Sequence, residues 1–297
     1  MALRIRVPGL VDVVLCRDPA SVRALADDPR VDRRFVARGP LINRLITGRI
    51  RKWFQIDGQP LPSLAPRDDN VRAERQRDLA AALDAAAGAN GWTTEELVAL
   101  ADYVRGAGAR DDVGRVTQEI IGRRFDPHFQ ADAASWEAAK LIDRFRNGFS
   151  LEQLLWIASG RLANARALLA QRASNDRWAF HGIAIGVHGI VDALVRMREL
   201  RAGSEWNRLP EEAVLWRTLQ PPRQVPRVVE EIISTPLAAS PLRAGTFVMF
   251  MLSTAWPKAP GPELVFMPQH WSACPAAVFV QTLLSQVYRA VQGERAG

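Results

Sequence analysis

Apolar positions recur at helical spacing through the middle of the chain and at strand spacing nearer its two ends. The run Leu10-Val11-Asp12-Val13-Val14-Leu15-Cys16 is rich in β-branched residues and predicts a strand over 10–16. Asp18-Pro19-Ala20-Ser21 then opens a short helix that Asp28-Pro29 stops. Residues 36–69 contain Gly39-Pro40, Asp57-Gly58, Pro60, Pro62 and Pro66 and read as loop. Helical spacing returns over 70–87, 97–105, 113–124, 134–146 and 151–169. Thr93 and Glu96 form a capping-box signature ahead of the second of these. A long helix is predicted over 178–200, with a small, uncharged first half and a charged second half. A helix over 211–218 follows, then strands over 226–233 and 247–252 with a turn at 242–246. A proline-rich coil over 256–268 leads to a last helix over 276–291. There is no internal repeat or linker composition. The pattern predicts one mainly α domain over 1–297 with a small β-sheet.

Composition narrows the class. Hydrophobic residues make up 48% and charged residues 24% of the 297, which are globular values. No apolar run is read as reaching the roughly 18 residues of a membrane span, and the N-terminus lacks the pattern of a secretory signal. Cys16 and Cys274 are too few and too far apart for a disulfide framework, so a cytoplasmic protein is expected. The net charge of +7 is carried almost wholly by arginine, since Lys52, Lys140 and Lys258 are the only lysines. These arginines are scattered among acids without a basic stripe, which argues against nucleic acid. Most belong to solvated faces, and the better use of the excess is an acidic cofactor or substrate.

Candidate chemistry lies in the C-terminal third. Cys274 precedes a helix, where backbone N–H groups and the helix dipole favour a thiolate able to ligate a metal or act as a nucleophile. No second cysteine or zinc-type spacing accompanies it, and His270 alone makes a poor catalytic partner four residues away. Taken alone, a lone cysteine is most often an inert buried thiol. Likewise His188 suits a hydrogen-bonded helix histidine, and Arg227, His270 and Arg75 suit exposed positions.

The order of features around Cys274 resembles the cytochrome P-450 superfamily. The carrying segments are VVLCRDPASVRALADDPR at 13–30, DDNVRAERQR at 68–77, PPRQVPRVV at 221–229, RAGTFVMFML at 243–252 and VFMPQHWSACPAA at 265–277. HGIAIGVHGIVDALVRMREL at 181–200 is similar to members that act on fatty-acid hydroperoxides. The resemblance implies a shortened version of that fold as a single haem-thiolate domain, with haem b (iron protoporphyrin IX) as cofactor and Cys274 as the axial thiolate and metal ligand. It implies Asn70, Arg75, Arg227 and His270 as candidate partners of the haem carboxylates, Asn70 standing where the family has a histidine. Gly186, His188 and Gly189 would lie over the distal face, His188 and Gly189 in catalytic positions.

The departures from the family pattern shape the expected reaction. Met267-Pro268-Gln269 replaces the glycines of the cysteine loop, and Cys274 lies four residues after His270 instead of two. The Glu-x-x-Arg pair is missing, Glu212 and Arg217 being wrongly spaced. The acid–alcohol pair of the long helix has no match, and the chain is short for the family. Without that pair, peroxygenase or hydroperoxide chemistry is favoured over reductase-driven monooxygenation, on an apolar substrate such as a fatty acid or its hydroperoxide, with a redox partner or companion enzyme as further partners. The alternative is a haem-free relative that binds and stabilises a partner enzyme.

Overall fold

Alternating residues at the start of the chain fold into a hairpin of strands β1, Ala2–Val7, and β2, Val11–Cys16. Its register pairs Leu3 with Leu15, Ile5 with Val13 and Val7 with Val11, so these apolar residues share one face. Strand β3 is Val31–Asp32, β4 Gln55–Ile56, β5 Gln59–Pro60, β6 Val225–Val229 and β7 Phe247–Phe250. Five of them form a sheet in the order β1-β2-β7-β6-β3, in which only β2 and β7 run parallel. Strands β4 and β5 form a separate ribbon.

These elements belong to one compact unit, residues 1–73 and 221–273; residues 74–220 and 274–297 form a second, helical unit. The computed structural model describes residues 2–89, 91–147, 150–268 and 270–293, so Gln269 lies outside the described residues. The architecture is mainly α with a small mixed sheet, as the pattern predicts.

In the sheet-bearing unit, Phe35, Val228 and Phe247 form a buried cluster against which Val13, Ile46 and Ile50 pack. The last two come from a helix, Leu41–Trp53, in a stretch read as loop. Its fully buried positions are polar, Asn43 and Thr47, while Leu41 and Leu45 are exposed, and this mixture hides its period. Asn43 anchors it: its amide accepts from the Asp12 backbone N–H (3.3 Å) and donates to the Asp12 (2.7 Å) and Gly245 (2.8 Å) carbonyls. The approach requires glycine on both sides. Gly39 and Gly245 have φ of +85° and +84°, and a Cβ on either would fall 2.6 Å from the other's backbone. Beside them Arg4 makes a two-pronged pair with buried Asp12 (2.8 Å each), which also accepts from Thr246 (2.9 Å). Burial opposes ionisation of Asp12, but these hydrogen bonds outweigh it and hold its carboxyl below the usual range.

The helical unit is organised around one long run, Arg177–Ala202. Val187, Val191, Ala193, Leu194 and Met197 are fully enclosed, and the helices Thr94–Arg105, Arg110–Gly122, Ala133–Arg146 and Glu211–Thr218 pack on it. This corrects the expectation that no run suffices to span a membrane. By length and composition this one does, because its glycines and alanines keep it apolar, yet two-thirds of its most apolar window is buried in the fold. The Thr93 capping box forms as predicted. The single helix predicted over 151–169 is two, Leu151–Ala158 and Arg161–Arg172, broken at Gly160 with φ +72°. Glu211 ties its helix to the last one, Ala277–Gln292, by accepting from Ser285 and Arg289.

Asn43→Ala should leave the Asp12 N–H and two carbonyls buried without partners. A loss of about 2–4 kcal/mol is expected in urea unfolding. A loss below about 0.5 kcal/mol would show that water replaces the amide.

Candidate functional site

Trp271 stands at the centre of an arginine cluster in the sheet-bearing unit. The guanidinium carbons of Arg33, Arg67, Arg72 and Arg227 lie 4.7, 5.2, 5.1 and 5.5 Å from the centre of its ring. Each comes from a different place: Arg33 follows β3, Arg67 precedes the Asn70–Gly88 helix, Arg72 is in its first turn, and Arg227 is on β6. Asp69 fixes that turn by accepting from the Arg72 backbone N–H at 2.8 Å. Arg33, Arg72 and Arg227 are buried.

The cluster holds too much positive charge for its acids. Asp32 is the nearby carboxylate, and it accepts from the backbone N–H groups of Arg33 (2.6 Å) and Arg67 (2.9 Å). Burial, and then the neighbouring arginines, push Arg33 well down from its ordinary value. Burial likewise pushes Arg227 down to about 9, despite the pull of Asp32. Arg33 and Arg72 donate to the Pro62 carbonyl at 3.3 Å, and Arg72 to the Trp271 carbonyl at 3.2 Å. The Nε atoms of Arg33 and Arg67 and the indole Nε1 of Trp271 are buried with no partner among the described residues. Buried donors of this kind with surplus positive charge fit an anion carrying several oxygens.

His270 and Arg227, both candidates from sequence, meet through Ser272. The Ser272 hydroxyl accepts from Arg227 (3.3 Å) and lies 2.7 Å from His270 Nδ1, while His270 Nε2 lies 2.9 Å from the Ala26 carbonyl. A carbonyl only accepts, so Nε2 carries the proton and Nδ1 accepts from Ser272. Burial, together with Arg227 and Arg33, lowers the His270 pKa against the pull of the Ala26 bond, which agrees with a neutral ring. His270 therefore braces the loop with both nitrogens. Arg75 and Asn70 do not join the cluster: Arg75 is largely exposed and pairs with Asp176 at 3.5 Å, and Asn70 is exposed.

In the helical unit, Cys274 is half-buried just before the Ala277–Gln292 helix, and its carbonyl accepts from the Ala277 N–H at 3.4 Å. Burial raises the thiol's pKa, opposed by a hydrogen bond from the Ala276 N–H. Cys16 is enclosed in β2 and burial pushes it up to about 12. Among the described residues no group of His, Cys, Asp and Glu is arranged as a metal cage.

The long helix widens into a π-turn over Gly182–Gly186, a feature that often marks functional positions. Gln118 supports the turn, donating to the Ile183 carbonyl at 3.0 Å. Gly186 and Gly189, three apart, share one exposed face; a side chain at Gly189 would meet open space, and one at Gly186 only the His181 carbonyl oxygen at 3.7 Å. His188 faces another way. It is buried, stacks on Trp136 with ring centres 5.0 Å apart, and bonds the Ala139 backbone. Trp136 in turn bonds Asp111 at 2.9 Å and fills the space left by Gly114, where a Cβ would fall 2.2 Å from the indole.

Sequence reasoning missed Arg33, Arg67, Arg72, Trp271 and Gln118. Arg72 was within reach, since Asp69 as helix cap fixes the phase that turns Arg72 inward. The others are assembled by tertiary contacts that no spacing announces.

No family model and no curated protein matches the sequence. Solved structures do match. The mycinamicin VIII C21 methyl hydroxylase of Micromonospora griseorubida, bound to mycinamicin VIII, is 13% identical, with 99% of this chain and 86% of that one covered at a TM-score of 0.59. A myxobacterial cytochrome P450 in complex with myristic acid is 13% identical over 98% and 85%, at 0.58. A six-coordinated cytochrome P450 from Thermus thermophilus is 18% identical over 97% and 86%, at 0.57. The chain thus has a shortened, divergent cytochrome P450-like fold.

His188 supplies a test of the helix packing. Burial lowers its pKa, outweighing Asp143, the Ala139 bond and Asp192, with Arg146 adding to the lowering. Below the ordinary value of about 6.5 the unfolded chain binds a proton that the folded chain refuses. Stability from this group is therefore full above that value and lost as pH falls toward the folded one. His188→Gln should flatten the fall of urea midpoint between neutral pH and about pH 5. An unchanged slope would place the acid sensitivity elsewhere.

Proposed function

We propose that the chain is a haem-thiolate oxidoreductase of the cytochrome P450 type, with haem b as cofactor and Cys274 as axial thiolate. The carrying observation is the cluster around Trp271, whose partnerless buried donors and surplus charge suit the two carboxylates of an iron protoporphyrin. Arg227, Arg33, Arg67 and Arg72 would hold those carboxylates, with the Trp271 indole N–H as a further donor. Cys274 would supply the thiolate, and the Ala276 N–H would stabilise its charge. Bound in this way, a haem supplies oxidative chemistry, its thiolate ligand favouring O–O cleavage.

The chain's own residues then set what reacts. Gly186 and Gly189 leave a bare helix face that admits an apolar substrate. The stretch Ile183–Gly189 has no carboxylate or hydroxyl side chain, so it carries no acid–alcohol pair. His188 is its one titratable side chain, and the stack on Trp136 makes it a positioning residue. A substrate or oxidant that already contains an O–O bond needs no such relay. This favours a hydroperoxide, or peroxide acting on a fatty acid, and the myristic acid held by the myxobacterial neighbour agrees with an acyl substrate. The two free thiols suit the reducing cytoplasm.

The deciding experiment is a visible spectrum of the reduced, carbon monoxide-bound protein after expression with haem supplied. A thiolate-type Soret band is expected, lost in Cys274→Ala and kept in Cys16→Ala. A colourless wild-type protein would overturn the reading in favour of a haem-free binding protein.

Arg227→Met tests the cluster separately. It should weaken haem retention by roughly tenfold or more, since hydrogen bonds to charged groups are strong. It should also leave the haem-free protein at least as stable as wild type, because one unneutralised buried charge is gone. A haem-free variant that melts well below wild type would show that Arg227 is already satisfied.

Given hydrogen peroxide or a reductase system with the same fatty acid, the protein should turn over faster with peroxide. His188→Ala should lower the melting temperature while keeping most peroxide turnover per folded molecule. Loss of about 10² or more in that rate, the scale of a general acid–base, would return His188 to a catalytic role.

A further inference from the structure

The Leu41–Trp53 helix carries apolar side chains on its outward side as well as on its inward one. Asn43 is bound to the hairpin and sheet by its three backbone hydrogen bonds, and this fixes which side faces inward. Opposite it lie Leu41, 46% exposed, and Leu45, 64% exposed. At helical spacing the same stripe continues through Gly48 to Lys52, flanked by Arg44 and Arg51. Arg44, Arg51 and Lys52 are exposed.

The hairpin carries an exposed apolar row of its own. Leu3, Ile5 and Val7 lie on one face of β1 and are 44%, 46% and 46% exposed. By register they share the face of Val13, which packs in the core with Ile46 and Ile50 of the helix. The Leu41 backbone N–H donates to Gly9 at 3.1 Å and that of Ile42 to Leu10 at 2.9 Å, so the hairpin turn and the start of the helix are joined. Leu10 is itself 43% exposed. Within Leu41–Trp53 every charged residue is an arginine or lysine, and Arg44, Arg51 and Lys52 are exposed.

We propose that this face docks on an anionic lipid bilayer. Exposed leucines on a rigid helix, with arginine and lysine along its flanks, match the requirements of an interfacial helix: aliphatic groups for the acyl boundary and cations for the headgroups. A second copy of the chain is disfavoured, because two such faces would bring like charges together. A nucleic acid would meet the cations but gain nothing from Leu41 and Leu45. The proposal is independent of any haem.

The test is flotation of the full chain with two kinds of vesicle, phosphatidylcholine alone and phosphatidylcholine mixed with phosphatidylglycerol. Binding is expected only to the anionic vesicles and should weaken as salt is added. Leu45→Ser should weaken it about tenfold through lost apolar burial. Arg51→Glu with Lys52→Glu should do so by at least about tenfold through charge. Both sites are exposed, and circular dichroism of each variant checks that it folds as wild type. Three outcomes overturn the proposal: no binding to anionic vesicles, equal binding to both kinds, or binding indifferent to both variants. A dimer broken by Leu45→Ser in sedimentation would assign the face to a second copy and overturn it as well.

Discussion

A guanidinium holds its proton throughout the pH range of a living cell, and Arg33, Arg72 and Arg227 are all enclosed in the sheet-bearing unit. Beside hydrogen bonds to the Pro62, Trp271 and Pro226 carbonyls and to Ser272, a ring and an acid compensate them. The ring face of Trp271 attracts each cation, worth at most about 2 kcal/mol apiece when desolvated. Asp32 adds one negative charge, already engaged by two backbone N–H groups. Taking an ion out of water costs several kcal/mol even after relaxation, so three buried cations around one ring remain a costly arrangement without a further anion. The Arg4–Asp12 pair in the same sheet shows what balance looks like: one cation, one acid, two short hydrogen bonds and a third from Thr246. The contrast makes the Trp271 cluster the place where an anion has most to contribute.

The loop before Cys274 is shaped by the same constraint. Ahead of Trp271, Met267 has a φ of +50°, unusual for a residue with a side chain. His270 and Ser272 then lock the turn by a relay from the Ala26 carbonyl to Arg227. The relay needs a neutral imidazole with its proton on Nε2, because a protonated ring could not accept from Ser272. The neighbouring arginines help to keep it neutral. The charge surplus that suits a dianion thus also fixes the histidine that braces the loop.

The outline of the fold was legible where residue type and period agree. The β-branched run of β2, the Thr93 capping box and the apolar long helix each state their element locally. The Leu41–Trp53 helix was illegible because Asn43 and Thr47 share the inward face with Ile46 and Ile50 while Leu41 and Leu45 face outward, so apolar residues on both sides blur the hydrophobic period. The split at Gly160 was hidden because both halves keep the same spacing. Within the candidate site, the signal for Cys274, His270 and Arg227 came from order along the chain. The signal for Arg33, Arg67 and Trp271 did not exist in one dimension: an arginine beside a strand reads as exposed until the fold closes a ring over it.

The long helix shows why small residues and one histidine lie so close together. A π-turn frees backbone groups that must find partners, and Gln118, fully buried, takes the Ile183 carbonyl. One turn on, the helix must be held on one side and left open on another. The held side is Gly114, Trp136 and His188 in layered contact, where an added methyl on Gly114 would strike the indole. The open side is Gly186 and Gly189. Glycines at these positions weaken a helix by roughly 1 kcal/mol each, a loss that tight packing behind them can absorb. His188 belongs to that packing, so its value lies in fixing the direction of the bare face. Within Ile183–Gly189 the one titratable ring thus lies on the packed side, and the exposed side is glycine.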